Sequence, residues 1–413
     1  MGIFANPLTD LLEYEDFSRD FLKGTDPVGM TGCIDSEKVH FMSTFLGEKK
    51  VQLVVTYNEQ RAREIEEDYK LFCSQVYVIP PRDLIFFSAD LQGNAIIAER
   101  MKAFAALYQN EAKVIITTMD ALMSEAVPFE QLMSHVIKLK EGDELDLEKL
   151  KHDLTVMGYE RVGRVEEPGQ FTVHGGIADV YPLTMEVPVR IELWGDEIDT
   201  IRCFEPQSQR SMDQIESVSV FPAAEVIADD TARRRAVGMI KNELESQLAV
   251  FKKAKEPDKA KRLREETNRI LEALGEDVVL EAPDSYISYF YPRTVQLSEY
   301  FDEKNTLVFL DEPMRLKERG DGVQAEFEES MKNRLEQGFL LPGQTALLTP
   351  AKHVLAAFER GQVAALSSLD SRLADFTVVN SYAVNVQNMN TYREGFELLV
   401  EDLTRWKRER CGI

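Results

Sequence analysis

Residues 169–210, GQFTVHGGIADVYPLTMEVPVRIELWGDEIDTIRCFEPQSQR, constrain the fold most, because apolar and polar side chains alternate through two runs, 170–181 and 187–204. A period of two sends successive side chains to opposite faces, so the runs are strands and not helices. They break at Gly175-Gly176 and at Gly195-Asp196, where glycine supplies the positive φ or the close backbone approach of a tight connection. A small antiparallel sheet is the expectation, with one face on a core and the other turned outward. Pattern alone leaves that outer face open between an ordinary solvated surface and a binding surface. No nucleophile, base and orienting acid converge in the block, which points to a protein-binding module and not to a catalyst.

The flanking sequence has another character. Runs at 51–56 (VQLVVT), 76–79 (VYVI) and 114–118 (VIITT) are short and β-branched, and helical stretches at 59–72 and 95–108 separate them. This is the pattern of βαβ units with parallel strands buried on both faces, a helicase-like sheet. Pro80-Pro81 and Pro128 punctuate this first unit, taken as residues 1–127, and Pro128 opens a second, α+β unit at 128–216 with a helix at 147–157 ahead of the hairpin sheet. A third unit, 217–385, starts with VSVFP at 218–222. It continues into a long charged helix from 230 to about 255, broken near Pro257 and resumed over 259–274. Acids and bases at helical spacing read there as a solvated, salt-bridged face. Residues 386–413 carry an amphipathic helix with Phe396, Leu399, Leu403 and Trp406 on one stripe, read as the start of a further, truncated domain. A chain of 413 residues accommodates about two to four domains.

Charge narrows the partners. With 48 basic against 72 acidic residues the net charge is −24, so the averaged field repels a polyanion such as DNA. Arg161, Arg164, Arg190, Arg202 and Arg210, in or beside the alternating block, are the residues able to form a local basic patch, although isolated arginines are usually solvated. Cys33, Cys73, Cys203 and Cys411 lie far apart with no CxxC pair, which indicates neither a zinc site nor a disulfide framework. The first residues lack a basic segment followed by an apolar one, and no stretch approaches the roughly 18 uninterrupted apolar residues of a membrane span. A cytoplasmic location and no membrane partner are expected.

The test for an enzyme lies at GMTGCIDS, residues 29–36, where the chain leaves an extended segment and enters a helix expected over 36–45. A working phosphate loop reads GxxxxGK[ST]: backbone amides cradle phosphates, the lysine neutralises charge and the hydroxyl helps hold magnesium. Aligned on Gly29, Thr31 and Gly32, the chain has Ile34 in place of the second glycine and Asp35 in place of the lysine; only Ser36 fits. Two unit charges about 4 Å apart interact by roughly 4 kcal/mol at an effective dielectric near 20, so exchanging the cation for a carboxylate should abolish nucleotide affinity. Further on, LVFLDE at 307–312 is an apolar strand ending in paired acids, the arrangement that holds magnesium in helicase ATPases. With no lysine in the loop, Asp311 and Glu312 read as a remnant in a structural or solvated role, with residual metal binding as the alternative. No cofactor is expected.

Three strings, GQFTVHGGIADVYP, PVRIELWGDEIDTIRCFEPQSQRS and FPAAE, resemble the UvrB-homology module of the Mfd family of transcription-repair coupling factors, and the resemblance runs along the whole chain. It implies that the first and third units complete one sheet layer, giving an α/β fold: a degenerate helicase-like parallel sheet with an inserted α+β domain. The segment 82–100, RDLIFFSADLQGNAIIAER, stands where UvrB carries a long DNA-inserting hairpin, and nothing of that length fits there; Phe86 and Phe87 read as hydrophobic cover.

By the same resemblance the inserted domain docks on UvrA, the damage-recognition ATPase of nucleotide excision repair. Arg190 matches the arginine of the family's P-x-R-x-E strand, Trp194 the aromatic shortly after it, and His174 the position usually held by arginine. A neutral imidazole cannot reproduce the bidentate fork of a guanidinium, and Arg164 or Arg161 would compensate. RNA polymerase and double-stranded DNA would be partners of further domains that carry the translocase. Two functions stay open, a non-catalytic adaptor that recruits UvrA and a nucleotide-dependent helicase fragment of the UvrB type; a DNA-binding fragment would need a basic groove that the composition does not suggest.

Overall fold

A computed structural model describes residues 8, 13–82, 91–275, 280, 283–369, 376–384 and 396–408. The first part of the chain supplies β1 (Val28–Thr31), β2 (Val51–Thr56), β3 (Val76–Ile79) and β4 (Val114–Thr118), alternating with the helices Asp35–Ser43, Glu59–Tyr69 and Leu91–Tyr108. A short strand β5 (Glu125–Ala126) leads to β6 (Ile137–Lys140). The helix Leu147–Val156 and the strands β7 (Glu160–Arg161), β8 (Gln170–His174), β9 (Ile177–Val180), β10 (Val189–Trp194), β11 (Glu197–Phe204), β12 (Ser211–Gln214) and β13 (Ser217–Val220) follow. After two long helices, Asp230–Ala254 and Pro257–Gly275, come β14 (Val295–Gln296), β15 (Thr306–Asp311), the helix Pro313–Glu336, β16 (Val363–Ser367) and β17 (Asn380–Ala383).

Seven strands form one sheet in the order β17-β1-β16-β15-β2-β4-β3, parallel throughout. Strands from the two ends of the sequence interleave: β2 pairs with β15, and β1 lies between β16 and β17. Every strand of such a sheet must be covered on both faces, and β2 shows how the sequence meets that demand. Leu53 and Val55 enter one apolar core while Val54 enters the other. Phe17, Phe21, Phe41 and Tyr69 cover the second face, and Met101, Phe104, Leu316 and Phe327 cover the first.

Between β4 and β15 the chain leaves this sheet. Strands β12-β11-β10-β9-β8-β7 form a second sheet of six, antiparallel except for the parallel pair β7–β8. Its inner face, with Phe171, Val173, Ala178, Val180, Val189, Ile191, Ile198 and Ile201, closes a core with Leu150 and Leu154 of the helix Leu147–Val156. The strand β13 belongs to this core too, pairing antiparallel with β6 and contributing Val218 and Val220. The sequence reading placed VSVFP at the start of the third unit; pairing with β6 draws its first residues into the inserted one. Conversely, Leu132 and Met133, past Pro128, pack in the core of the large sheet.

The charged helices obey the alternation of faces. Asp229 caps the first through its carboxylate, which accepts from the Ala232 amide at 2.7 Å, and Ala236, Ile240, Leu244 and Phe251 form its buried stripe. The second helix packs on it through Leu263, Ile270 and Leu274, while the pairs Lys261–Glu265 and Arg269–Glu266 lie on the solvated side. In the helix Phe396–Arg408, Leu399, Leu403 and Trp406 are half-buried and Phe396 is exposed. Phe86 and Phe87 lie outside the described residues.

A buried ionic cluster fastens the segments to one another. The Arg100 guanidinium, 1 % exposed, donates to Pro80 O at 2.6 Å and, through Nη2, to Glu225 Oε2 at 2.9 Å. Arg82 donates to Asp284 Oδ1 at 2.5 Å, so residues of the first segment hold both the exit from the insertion and the third segment. Replacing Arg100 with Met strands the Glu225 carboxylate in the core, and should cost about 3–5 kcal/mol, read as a fall in the urea midpoint at unchanged m-value.

Candidate functional site

The segment 29–36, read from the sequence as a degenerate phosphate loop, sits at the carboxyl ends of the parallel strands, where ligands of open α/β sheets bind. Gly29 is not in the loop but within β1, paired with Ala365 and Ser381, and Thr31 closes that strand. The turn is Gly32, Cys33 and Ile34, and Asp35 and Ser36 begin the helix Asp35–Ser43. Gly32 has φ +84°, and a Cβ there would lie 2.0 Å from the Val384 carbonyl oxygen, so the chain's own backbone lies against the loop. Cys33 beneath it is buried, which pushes its thiol up to about 12.

The paired acids hold a cation of the protein. The Lys38 ammonium, wholly buried, donates to Asp311 Oδ1 at 2.8 Å and to Glu312 Oε1 at 2.6 Å and lies 3.5 Å from Asp35 Oδ1. Asp311 Oδ2 accepts from Thr56 Oγ1 at 2.8 Å and from Arg61 Nε at 3.4 Å, and Arg61 Nη2 donates to the Asp35 carbonyl at 3.0 Å. Glu312 also accepts from the amide and hydroxyl of Ser368, at 2.8 and 2.5 Å. Two cations, Lys38 and Arg61, thus face three carboxylates whose oxygens lie within 4.8 Å of one another, which leaves the cluster one negative charge in excess. Burial by itself lowers the Lys38 pKa, but the bonds and charge of Asp311 and Glu312 outweigh it and the net shift is upward. For Glu312 burial pulls upward, and the bonds from Lys38 and Ser368 bring the carboxyl below its ordinary value.

The sequence reading gave Asp311 and Glu312 a structural or solvated role without naming a partner for them. The structure supplies the partner: Lys38 reaches them from one turn into the helix, and not from the loop position that a phosphate-binding lysine occupies. The available signal was a lysine at i+3 from Asp35 on a face shared with Phe41 and Met42 of the core.

The second candidate is the outward face of the six-stranded sheet, where Thr172, His174, Ile177, Asp179, Arg190, Glu192, Trp194, Thr200 and Arg202 alternate with the core residues. Trp194 ends β10 and is 84 % exposed, facing Glu197 across the turn at Gly195, which has φ +67°. His174 ends β8, exposed, and pairs with Ile177, which is 40 % exposed. The turns at Gly175 and Gly195 lie at the same end of the sheet, so His174, Ile177 and Trp194 share that end.

Arg190 is engaged internally. Its Nε and Nη2 each donate to a carboxylate oxygen of Asp179 at 2.8 Å, Nη2 reaches Gln209 Oε1 at 3.3 Å, and the guanidinium lies 4.7 Å from the centre of the Phe204 ring. Arg164 stands at the opposite end from Trp194. It bonds to the Gln207 carbonyl and pairs with Glu166 on an exposed segment whose neighbour Val165 packs with Tyr181 and Phe204. The four residues singled out from the sequence thus divide into two at the open end, one in mid-sheet and one on the cover of the far end.

A family model described as UvrB interaction domain matches residues 137–225, the span from β6 to just past β13. The transcription-repair-coupling factor of Bacillus subtilis is 31 % identical over 343 residues, covering 81 % of this chain and 29 % of the relative. Those of Staphylococcus epidermidis and Staphylococcus haemolyticus are 29 % and 30 % identical, covering 83 % and 79 % of the chain. The chain is related to the N-terminal UvrB-homology region of the transcription-repair-coupling factors. It spans 28–29 % of the length of these relatives. Among the described residues no helix is long and apolar enough to cross a membrane.

In this UvrB-homology region the cleft and the interaction domain use charge in opposite ways. In the cleft the buried charges, Lys38 and Asp311, are paired within the fold while Asp35 stays exposed at its rim, whereas the open end of the interaction domain leaves an aromatic and an imidazole exposed. Replacing Lys38 with Met leaves Asp311 and Glu312 without their cation, and should destabilise the protein by about 3–5 kcal/mol, largely restored in Lys38→Met/Asp311→Asn/Glu312→Gln, as measured by urea unfolding. A carboxyl lowered in the folded state stabilises above its ordinary value of 4.5 and loses that contribution as pH falls through the folded value. Between about pH 5 and 3 the Lys38→Met protein should therefore lose less stability than the wild type.

Proposed function

We propose that the chain is a non-catalytic adaptor module of a transcription-coupled DNA repair factor, recruiting the excision-repair protein UvrA through the outward face of its inserted domain. The observation that carries the reading is the place of Trp194: 84 % exposed, on a rigid strand, within the residues that match the UvrB interaction domain. Large aromatic side chains fixed in this way are the residues on which interfaces most depend, because they bury much area at little entropic cost. His174 and Ile177 extend the same surface, and Arg190 holds the sheet beneath it through Asp179. Arg164 contributes at the far end.

In this reading the two ends of the sequence build a scaffold that takes no cofactor, the insertion from β6 to β13 presents the docking face, and the module works in the cytoplasm. ATP-dependent translocation on duplex DNA and the binding of RNA polymerase belong to the remainder of the longer chains to which this one is similar. The filled cleft supports the non-catalytic part: a nucleotide phosphate there would have to displace Lys38 from two carboxylates that would then face the phosphate directly.

Calorimetric titration of the 413-residue chain with purified UvrA should give saturable binding. Trp194→Ala should weaken it by about 2 kcal/mol, roughly thirtyfold, at unchanged melting temperature, and His174→Ala by less. Arg190→Ala should lower affinity and melting temperature together, since it also strands Asp179. ATP should not bind up to millimolar concentration; micromolar ATP binding that is lost in Asp311→Asn would establish the nucleotide-dependent alternative instead.

A further inference from the structure

The two long charged helices meet in a concentration of one sign. Between residues 252 and 264 seven lysines and arginines stand against two acids, Glu256 and Asp258, in a chain whose net charge is −24. This stretch is the tip of the hairpin made by the helices Asp230–Ala254 and Pro257–Gly275. The averaged field of the chain repels a polyanion, but charges act over a Debye length of roughly 8 Å at physiological salt, so a ligand at the tip meets the local balance. The sequence reading sought a basic patch at Arg161, Arg164, Arg190, Arg202 and Arg210, in or beside the alternating block; the denser cluster lies here.

Most of these charges are not used by the fold. Lys259 pairs with Glu256 at 2.6 Å, and Lys261 reaches Glu265 at 3.8 Å. Lys252, Lys253, Lys255 and Arg264 are exposed, and among the described residues no carboxylate forms an ion pair with any of them. The helix ends do not account for them: the carbonyl end of the first helix carries about half a negative charge, and the amide end of the second, just beyond the turn, brings about half a positive one. The tip is also firm. Phe251 and Leu263 are buried on either side of the turn, which Lys255 makes with φ +60°. The segment 337–339 packs against it: a Cβ at Gly338 would lie 2.6 Å from the Lys259 carbonyl oxygen, Arg262 Nη1 donates to the Gln337 carbonyl at 2.9 Å, and that guanidinium lies 4.5 Å from the centre of the Phe339 ring.

We propose that the tip of this hairpin binds the phosphate backbone of a nucleic acid without reading its sequence. An acidic protein surface presents planar carboxylates, which favour the arginine fork, whereas three of the four unpaired cations here are lysines, the point charges that suit a row of phosphates. The axes of packed helices lie roughly 8–10 Å apart. Lys252 and Lys253 on one helix and Arg264 on the other therefore span about three phosphates of one strand, spaced at about 3.4 Å along the duplex axis. Each phosphate engaged releases condensed counterions, and this release drives the contact in spite of the charge of the rest of the chain. The contact belongs to this module itself, apart from the docking of its inserted domain and from the translocation assigned above to the remainder of the longer chains.

The test follows a fluorescently labelled DNA duplex by anisotropy as the 413-residue chain is added, at low and at moderate salt. The wild type should bind saturably, with a dissociation constant of roughly 10⁻⁴ to 10⁻⁶ M, and with about four phosphates engaged log K should fall against log salt with a slope of roughly −3 to −4. Lys252→Gln/Lys253→Gln/Lys255→Gln should bind at least tenfold more weakly with a slope closer to zero, at a nearly unchanged melting temperature, because all three side chains are solvated. The corresponding triple arginine variant should keep the affinity of the wild type. Binding by the triple glutamine variant within twofold of the wild type, or no binding by the wild type at low salt, overturns the proposal. Displacement of the duplex by polyglutamate at equal charge concentration overturns it in favour of an acidic protein surface.

Discussion

The pairing of β2 with β15 holds the two ends of the sequence in one sheet, and the rest of the molecule follows from it. These strands are separated by some 250 positions in the chain yet lie in parallel register from Thr306 opposite Val51 to Leu310 opposite Val55. A parallel sheet must be covered on both sides, and the helices on either side of the intervening segment do so. That segment, with its own alternating pattern and its own core, is left to form a separate sheet whose outward face is covered toward Phe204 and exposed toward Trp194. The outward sheet face is therefore a consequence of topology: once β2 and β15 meet, the insertion forms its own sheet outside the parallel one.

Charge is treated differently in the two places. At the carboxyl ends of β2 and β15, where an open α/β fold would bind phosphate, Lys38 and Arg61 are neutralised by Asp35, Asp311 and Glu312. Ions buried in this way gain little net stability over apolar residues, but removing one partner exposes the others to the full cost of desolvation. The cluster makes the cleft an internal joint between the first helix after β1 and the end of β15. On the outward sheet face the charges are held less deeply, with Arg190 paired to Asp179, Glu192 and Arg202 half-buried and Trp194 in solvent.

Much of the architecture was legible in the sequence. The runs at 51–56, 76–79 and 114–118 are the strands β2, β3 and β4, and the long helices lie where the charge periodicity places them. These signals are local: a β-branched run of that length, or apolar residues at helical spacing, leaves few alternatives. The boundaries of the insertion were less legible, because β13 joins it by pairing with β6, almost eighty residues earlier, and no local pattern reports such a partner.

The candidate site divides along the same line. Sequence by itself determined that the loop at 29–36 has Asp35 in place of a phosphate-binding lysine, that Asp311 and Glu312 end a strand, and that His174, Arg190 and Trp194 lie on a sheet of alternating pattern. Those are properties of residue type and of periods of two or 3.6 residues, which the chain carries without folding. Only the tertiary structure decided that Lys38 fills the acids and that Asp179 claims Arg190. Each of these is settled by which side chains meet across strands and helices distant in sequence, and a bond between two charges depends on a few ångströms that no linear spacing specifies.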